Sequence, residues 1–324
     1  MQRDDNVKHW ENLDRKHRTL IYAAATIGGL LLLALLLRPA SPPPQPKPFI
    51  MPRHPKLTEP TISVYIVASG RTVWLRLEDY ITGVVAGEVV NTWPAEALKA
   101  QAVVARTFIM QKLEAKDRSK YGTNASTDTT EYQAYRPSAI NSAIRSAVRS
   151  SRGMILTYNA KPVYAFFHSC SGGMTATALE GLNFKQAPTP YLRPVADGPC
   201  STPNDTWKAT FTASEVGRAA GTGPCRAVTI TSRGPSGRAV MFSVNGKEVR
   251  AIDLRLRLGP NRMKSTLITG LSMSGGRVVM SGNGWGHGVG MSQWGAHDRA
   301  LAGSTYEQIV KLYYPGTQIE KIWD

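Results

Sequence analysis

The chain has 324 residues, is 42% hydrophobic and carries 39 Lys or Arg against 23 Asp or Glu, a formal net charge of +16. That length and apolar content suffice to bury a core and exclude a wholly disordered chain. Three cysteines, Cys170, Cys200 and Cys225, are too few for a disulfide scaffold; Cys200 with Cys225 can close one loop, leaving one thiol over.

In chain order, the first element is the uncharged apolar run from Leu20 to Leu37, long enough to cross a bilayer as a helix. Arg15, Lys16 and Arg18 precede it and only Arg38 follows closely. That asymmetry keeps residues 1–19 in the cytoplasm and sends the rest outward. No A-x-A site follows, so the run reads as an uncleaved anchor over residues 20–37 in the cytoplasmic membrane, not as a signal peptide. Residues 38–56 are dense in proline, which removes backbone donors and stiffens the chain into an extended spacer. Residues 57–324 then form one extracytoplasmic domain. The tail holds five Lys or Arg and four Asp or Glu, so most of the positive charge lies beyond the membrane. The partner expected there is anionic: a wall polymer, lipid headgroups or an acidic protein. Nucleic acid is not expected on that side.

β-Branched runs from Thr61 predict a hairpin turning at Ser69-Gly70, which leads into an apolar stretch around Glu88. Trp93 to Ala115 reads as a helix, with Pro94 at its first helical position. Leu98, Ala102, Ala105 and Ile109 form its apolar stripe, and Lys99 and Arg106 share another, presenting two cations. "AINSAIRSAVRSSRG" predicts a second amphipathic helix, stopped at Gly153. From Met154 the pattern is strand, turn at Asn159-Ala160, strand, and a Ser/Gly turn after His168, Ser169 and Cys170. Phe211 to Met280 is β-rich, and the C-terminal stretch holds two short helices, the last capped by Ser304 or Thr305. The class expected is α+β, with a substrate groove.

"SGNGWGHGVG" places a glycine at every second position from Gly282 to Gly290. On an extended backbone this strips one face bare and lines the other with Trp285 and His287, a pattern suited to close approach by a ligand. Glu88 is a lone carboxylate among valines, alanine and glycine; desolvation raises such a pKa, and a protonated acid can serve as a general acid. The competing reading is a structural Glu at a strand end, paired with Lys99 or Arg106. His287 can be a base, a metal ligand or a donor, and its glycine neighbours argue for exposure. His168 with Cys170 invites zinc or thiol chemistry, but the spacing matches no finger or protease pattern, and no metal or cofactor is expected.

"YITGVVAGEVVNTWPAEALKAQAVVARTF", "FFHSCSGGMT" and "GNGWGHGVGMSQWGA", in that order behind an N-terminal anchor, resemble the stage II sporulation protein D (SpoIID/LytB) family from about Val64 to Tyr314. Cys170 departs from the usual family pattern at its turn. The resemblance implies a peptidoglycan lytic transglycosylase, active during sporulation engulfment on the bond between N-acetylmuramic acid and N-acetylglucosamine. It implies Glu88 as catalytic acid/base, and Lys99, Gln101, Arg106, His287, Ser292 and Gln293 as groove residues. His168, Ser169 and Trp285 join them as candidates for substrate binding, Trp285 by packing on a sugar face. Partners implied are glycan strands, a cell-wall amidase and other engulfment proteins. The alternative is a non-catalytic, glycan-binding activator of such an amidase, which would need the groove but not the acid.

Overall fold

The structure is a computed structural model that describes residues 57–202 and 205–324. The expected cytoplasmic tail, anchor and spacer lie outside the described residues, among which no helix is long and apolar enough to cross a membrane.

Strands β1 (Thr61–Ile66) and β2 (Arg71–Arg76) form the expected hairpin, pairing Ile66 with Arg71 across the turn. Helix α1 (Leu77–Glu88) follows at once. Leu77, Tyr80, Ile81, Val84 and Val85 repeat at helical spacing and are fully buried, so the apolar stretch ending at Glu88 is a helix and Glu88 its last residue, not a strand end. Helix α2 (Ala95–Glu114) starts one residue after Pro94, whose carbonyl accepts the first helical bond, from Leu98. Leu98, Ala102, Ala105 and Ile109 do face one core, with α1 and β1. Ala100, Val103 and Val104 face a second core on the other side, so the middle of α2 is buried all round and Arg106 is withdrawn from solvent, while Lys99, near its start, stays part-exposed.

Strand β3 (Ala125–Ser126) adds to β1 in parallel, and α3 (Ser142–Ser150) is capped by Asn141 and ends before Gly153. Strands β4 (Met154–Tyr158) and β5 (Lys161–Pro162) meet through Asn159 and Ala160, both left-handed, the geometry of a tight hairpin turn. Short strands β6 (Phe167–His168) and β7 (Gly173–Met174), helix α4 (Ala178–Leu182) and strand β8 (Ala196–Gly198) lead to a separate lobe. The lobe comprises β9 (Thr206–Thr212), α5 (Ala213–Ala220), β10 (Val228–Arg233), β11 (Ala239–Val244), β12 (Lys247–Arg250), α6 (Ala251–Leu258), β13 (Ile268–Ser274) and β14 (Arg277–Asn283). It closes over its own core around Phe211, Phe242, Leu254 and Met280.

The chain returns through the glycine-rich segment to β15 (Met291–Ser292), α7 (Gln293–Leu301), α8 (Tyr306–Tyr313) and β16 (Gln318–Lys321). Thr305 caps α8 with a full capping box to Gln308, and β16 pairs antiparallel with β4.

The disulfide joins Cys170 to Cys200, and Cys225 is the buried free thiol, so the expected loop from Cys200 to Cys225 is wrong. Cys225 packs inside the lobe core, whereas Cys170 is held by a two-way backbone exchange with Trp285 (Cys170 N to Trp285 O, 3.0 Å; Trp285 N to Cys170 O, 2.8 Å).

Candidate functional site

Glu88 reaches its place because two glycines clear the way. Gly83 and Gly87 lie one turn apart on α1, where a Cβ on Gly83 would stand 2.2 Å from the Tyr135 ring and one on Gly87 2.7 Å from the Ala134 carbonyl oxygen. Residues 134–136 therefore lie flat on the helix, and the Ala134 amide donates to Glu88 Oε1 at 2.6 Å. From the other end of the chain, Gln293, first residue of α7, donates through Nε2 to Glu88 Oε2 at 3.3 Å.

Among the described residues no cation pairs with Glu88. Lys99 is bound to Glu96 at 2.7 Å, and Arg106 is fully buried in a two-pronged pair with Glu78 at 2.7 and 2.9 Å. Burial pushes the Glu88 carboxyl up, and the hydrogen bonds from Ala134 and Gln293 only partly offset this. Its position at the helix C-terminus, where the dipole is negative, disfavours the carboxylate further.

The half-buried Glu88 opens on two clefts. One, of about 390 Å³, is walled by Tyr132, Gln133, Ala134, Phe166, Phe167 and His287. The other, of about 400 Å³, is walled by Asn91, Trp93, Arg136, Ser169, Gln293 and Trp294. An elongated ligand lying across both would pass over the Glu88 carboxyl.

The glycine-rich segment is not an extended strand with one bare face. Gly284, Gly286, Gly288 and Gly290 have φ of +75°, +115°, +84° and +70°, so left-handed glycines alternate with ordinary residues. They also admit the chain against its neighbour: a Cβ on Gly290 would stand 1.9 Å from the Phe166 carbonyl oxygen, and one on Gly286 2.7 Å from His168 Cβ. Trp285 and His287 accordingly part company. Trp285 lies under the Lys264 ammonium at 5.0 Å, and His287 turns into the first cleft. His287 is half-buried rather than exposed; its Nδ1 accepts the Val289 amide at 3.0 Å. Burial, with Arg255 adding, pushes its pKa down to about 3, so the ring is neutral near neutral pH.

His168 is buried, its Nδ1 lies 3.1 Å from the Val289 carbonyl oxygen, and burial holds its pKa well below the ordinary histidine range. Ser292 caps α7 through the Gly295 amide and is fully buried. Lys99, Gln101 and Arg106 line neither cleft. Gln101 is buried in α2, and Arg106 ties α2 to α1 and to the Met154 carbonyl. Of the expected groove residues, then, Ser169, His287 and Gln293 stand around Glu88, while Arg106 and Ser292 hold the fold. The sequence reading missed Phe166, Phe167, Tyr132 and the Ala134 amide; the four-residue glycine spacing on α1 was the available signal for the last. Cys170 and Cys200, which cluster with Asp205, are joined to each other, so neither offers a thiolate to a metal.

A family model described as "SpoIID: Stage II sporulation protein" matches residues 69–158, the stretch that carries α1, α2 and Glu88. The chain is 34% identical over 284 residues to the stage II sporulation protein D of Bacillus subtilis (strain 168), covering 82% of this chain and 80% of that one. The chain belongs to the SpoIID family. Another member, the stage II sporulation protein D of Bacillus amyloliquefaciens, is 33% identical over 83% of this chain and 81% of its own length. A protein named amidase enhancer, also from Bacillus subtilis, is 29% identical over 74% of this chain but only 40% of its own length. The similarity to these relatives extends well beyond the stretch matched by the family model.

Proposed function

We propose that this SpoIID family member is a lytic transglycosylase, anchored through residues 20–37 with residues 57–324 outside the cytoplasmic membrane, and that it cuts peptide-stripped peptidoglycan strands between N-acetylmuramic acid and N-acetylglucosamine during sporulation engulfment. The observation that carries this is the half-buried Glu88 carboxyl, without a cation among the described residues, standing between two clefts.

One carboxyl suffices when the substrate supplies its own nucleophile. Protonated Glu88 gives its proton to the glycosidic oxygen as the C1–O bond breaks. The muramic C6 hydroxyl then closes on C1 and returns its proton to the Glu88 carboxylate, so no water is consumed and the acid is restored. In a hydrolase with paired carboxylates the second one works ionised, as base or nucleophile. Asp128 lines neither cleft, its carboxyl being held by Lys120 and Thr130, whereas Glu131 lines the first cleft and accepts from the Ser126 hydroxyl and the Lys120 amide, so the products decide between the two routes. Near neutral pH His287 is neutral, and Glu88 is the cleft carboxyl that burial pushes toward its protonated form.

Mass spectrometry of digested strands tests the reaction. The expected products end in anhydro-muramic acid, one water lighter than a reducing end. Reducing ends as the main product would exclude the single-carboxyl route. The second reading, a glycan-binding activator of an amidase, is favoured by the name of one relative. It requires that the strand be bound and left uncut.

A further inference from the structure

The positive charge of the domain is not spread evenly. The lobe over residues 206–283 holds twelve Lys or Arg against three Asp or Glu, a net +9, whereas residues 57–205 and 284–324 together net only +2. Two of the twelve, Arg238 and Arg255, are buried, and nine are exposed: Lys208, Arg218, Arg226, Arg233, Lys247, Arg250, Arg257, Arg262 and Arg277. Seven of those nine are arginines, whose planar fork matches an oxyanion in two bonds where an ammonium offers a point charge.

The lobe also has a concave place for a ligand, a cleft of about 450 Å³ between α5 and α6 lined by Glu215, Arg218, Ala219, Arg257, Leu258 and Arg262. Arg262 is committed to Glu215 at 2.6 Å and to the Phe211 ring. Arg257 spends one nitrogen on the Ala219 carbonyl, and the Arg218 guanidinium has no hydrogen-bonded partner among the described residues. Two forks therefore face a cleft whose floor, Ala219 and Leu258, is apolar enough to take a sugar face.

We propose that this lobe is a second binding site for the glycan strand, in which Arg218 and Arg257 hold the lactyl carboxylates that muramic acid exposes once its peptides are removed. The proposal rests on the proposed substrate but not on the Glu88 chemistry. A membrane surface fits less well, because Leu256 is the one large apolar side chain of the lobe that is strongly exposed among the described residues, and lipid attachment by an interfacial face buries several.

The test uses the full chain in detergent and measures binding to peptide-stripped strands, to the same strands with their carboxyls methyl-esterified, and to anionic phospholipid vesicles. Exposed ion pairs are individually weak, so reversing both charges in R218E/R257E should lower affinity for the native strand on the order of tenfold. Esterification should cost the wild type about as much and the variant little, a pattern that general misfolding would not give. R218E alone, where the side chain holds nothing in the fold, should show the same pattern at smaller size. Unchanged strand affinity in R218E/R257E, insensitivity of the wild type to esterification, or a loss confined to vesicles would each overturn the proposal. A strand bound with this carboxylate dependence yet never cut would sink the transglycosylase reading and leave the lobe's role standing.

Discussion

The two ends of α1 carry glutamates ten residues apart with opposite surroundings. Glu78, in the first turn, accepts from Arg106 Nε and Nη2, the Gly153 amide and the Trp323 indole, and is buried with all of them. Glu88, the last residue, has one backbone amide and one carboxamide. The helix dipole favours a carboxylate at the first end and opposes it at the second. Burial alone therefore does not mark an acid for catalysis. A buried carboxylate with a full set of donors is a staple, and one short of donors beside open clefts is held ready for a proton.

The largest effect that separates the two is expected from Glu88→Gln. Cleavage should fall by roughly two to four orders of magnitude, with strand binding retained. The stability of this variant sharpens the point. Because the folded-state pKa of Glu88 is raised, the wild type is favoured below the unfolded-state pKa and loses that stability as pH rises through the folded one. Glu88→Gln should then melt at or above the wild type near neutral pH, with the gap shrinking on acidification. Catalytic activity should decline over the same rise in pH. If Glu88→Gln unfolds the domain instead, the two glutamates are alike and the comparison fails.

At the other end, Arg106→Met should leave cleft chemistry untouched and cost about 3–5 kcal/mol of stability, because it strands a buried carboxylate. Denaturant unfolding measures this, and adding Glu78→Gln should restore part of the loss, since the stranded charge is then gone. Equal losses in single and double variants would show that the pair is not what Arg106 contributes.

A smaller effect belongs to Gly87→Ala. The added methyl meets the Ala134 carbonyl and should cost about 1–3 kcal/mol as overpacking. The displaced segment withdraws its amide from Glu88, so the fall in cleavage should exceed what the melting temperature explains. The smallest is Gln293→Ala, which removes a hydrogen bond that lowers the Glu88 pKa. Its activity should persist to higher pH than that of the wild type, with little change in melting temperature. An unshifted pH profile would mean that Gln293 orients substrate rather than tuning the acid.

Much of this was legible from residues close together in the chain. The turn at Asn159-Ala160, the cap at Thr305 and the helix from Trp93 depend on neighbours within a few residues, and they stand where the sequence places them, to within a residue or two. Glu88 stood out because its apolar company is local. Arg106 did not, because a helical stripe tells which residues share a face but not whether a second core covers it. The glycine-rich segment misled for a related reason. Alternation suggests a strand, yet a glycine at every second position equally allows alternate left-handed residues, and only the backbone lying against it from Phe166 to Cys170 selects between the two.

Hairpins, caps, an acid in an apolar setting and an excess of positive charge can be read from the chain, because these follow from short-range sterics, hydrogen bonding and composition. The tertiary structure decided which carboxylate is satisfied, which cysteines join and where the charge gathers. Gln293 meets Glu88 across 205 residues and Trp323 meets Glu78 across 245. The donors that set a carboxyl's protonation act over a few ångströms in space, and sequence distance carries no record of that.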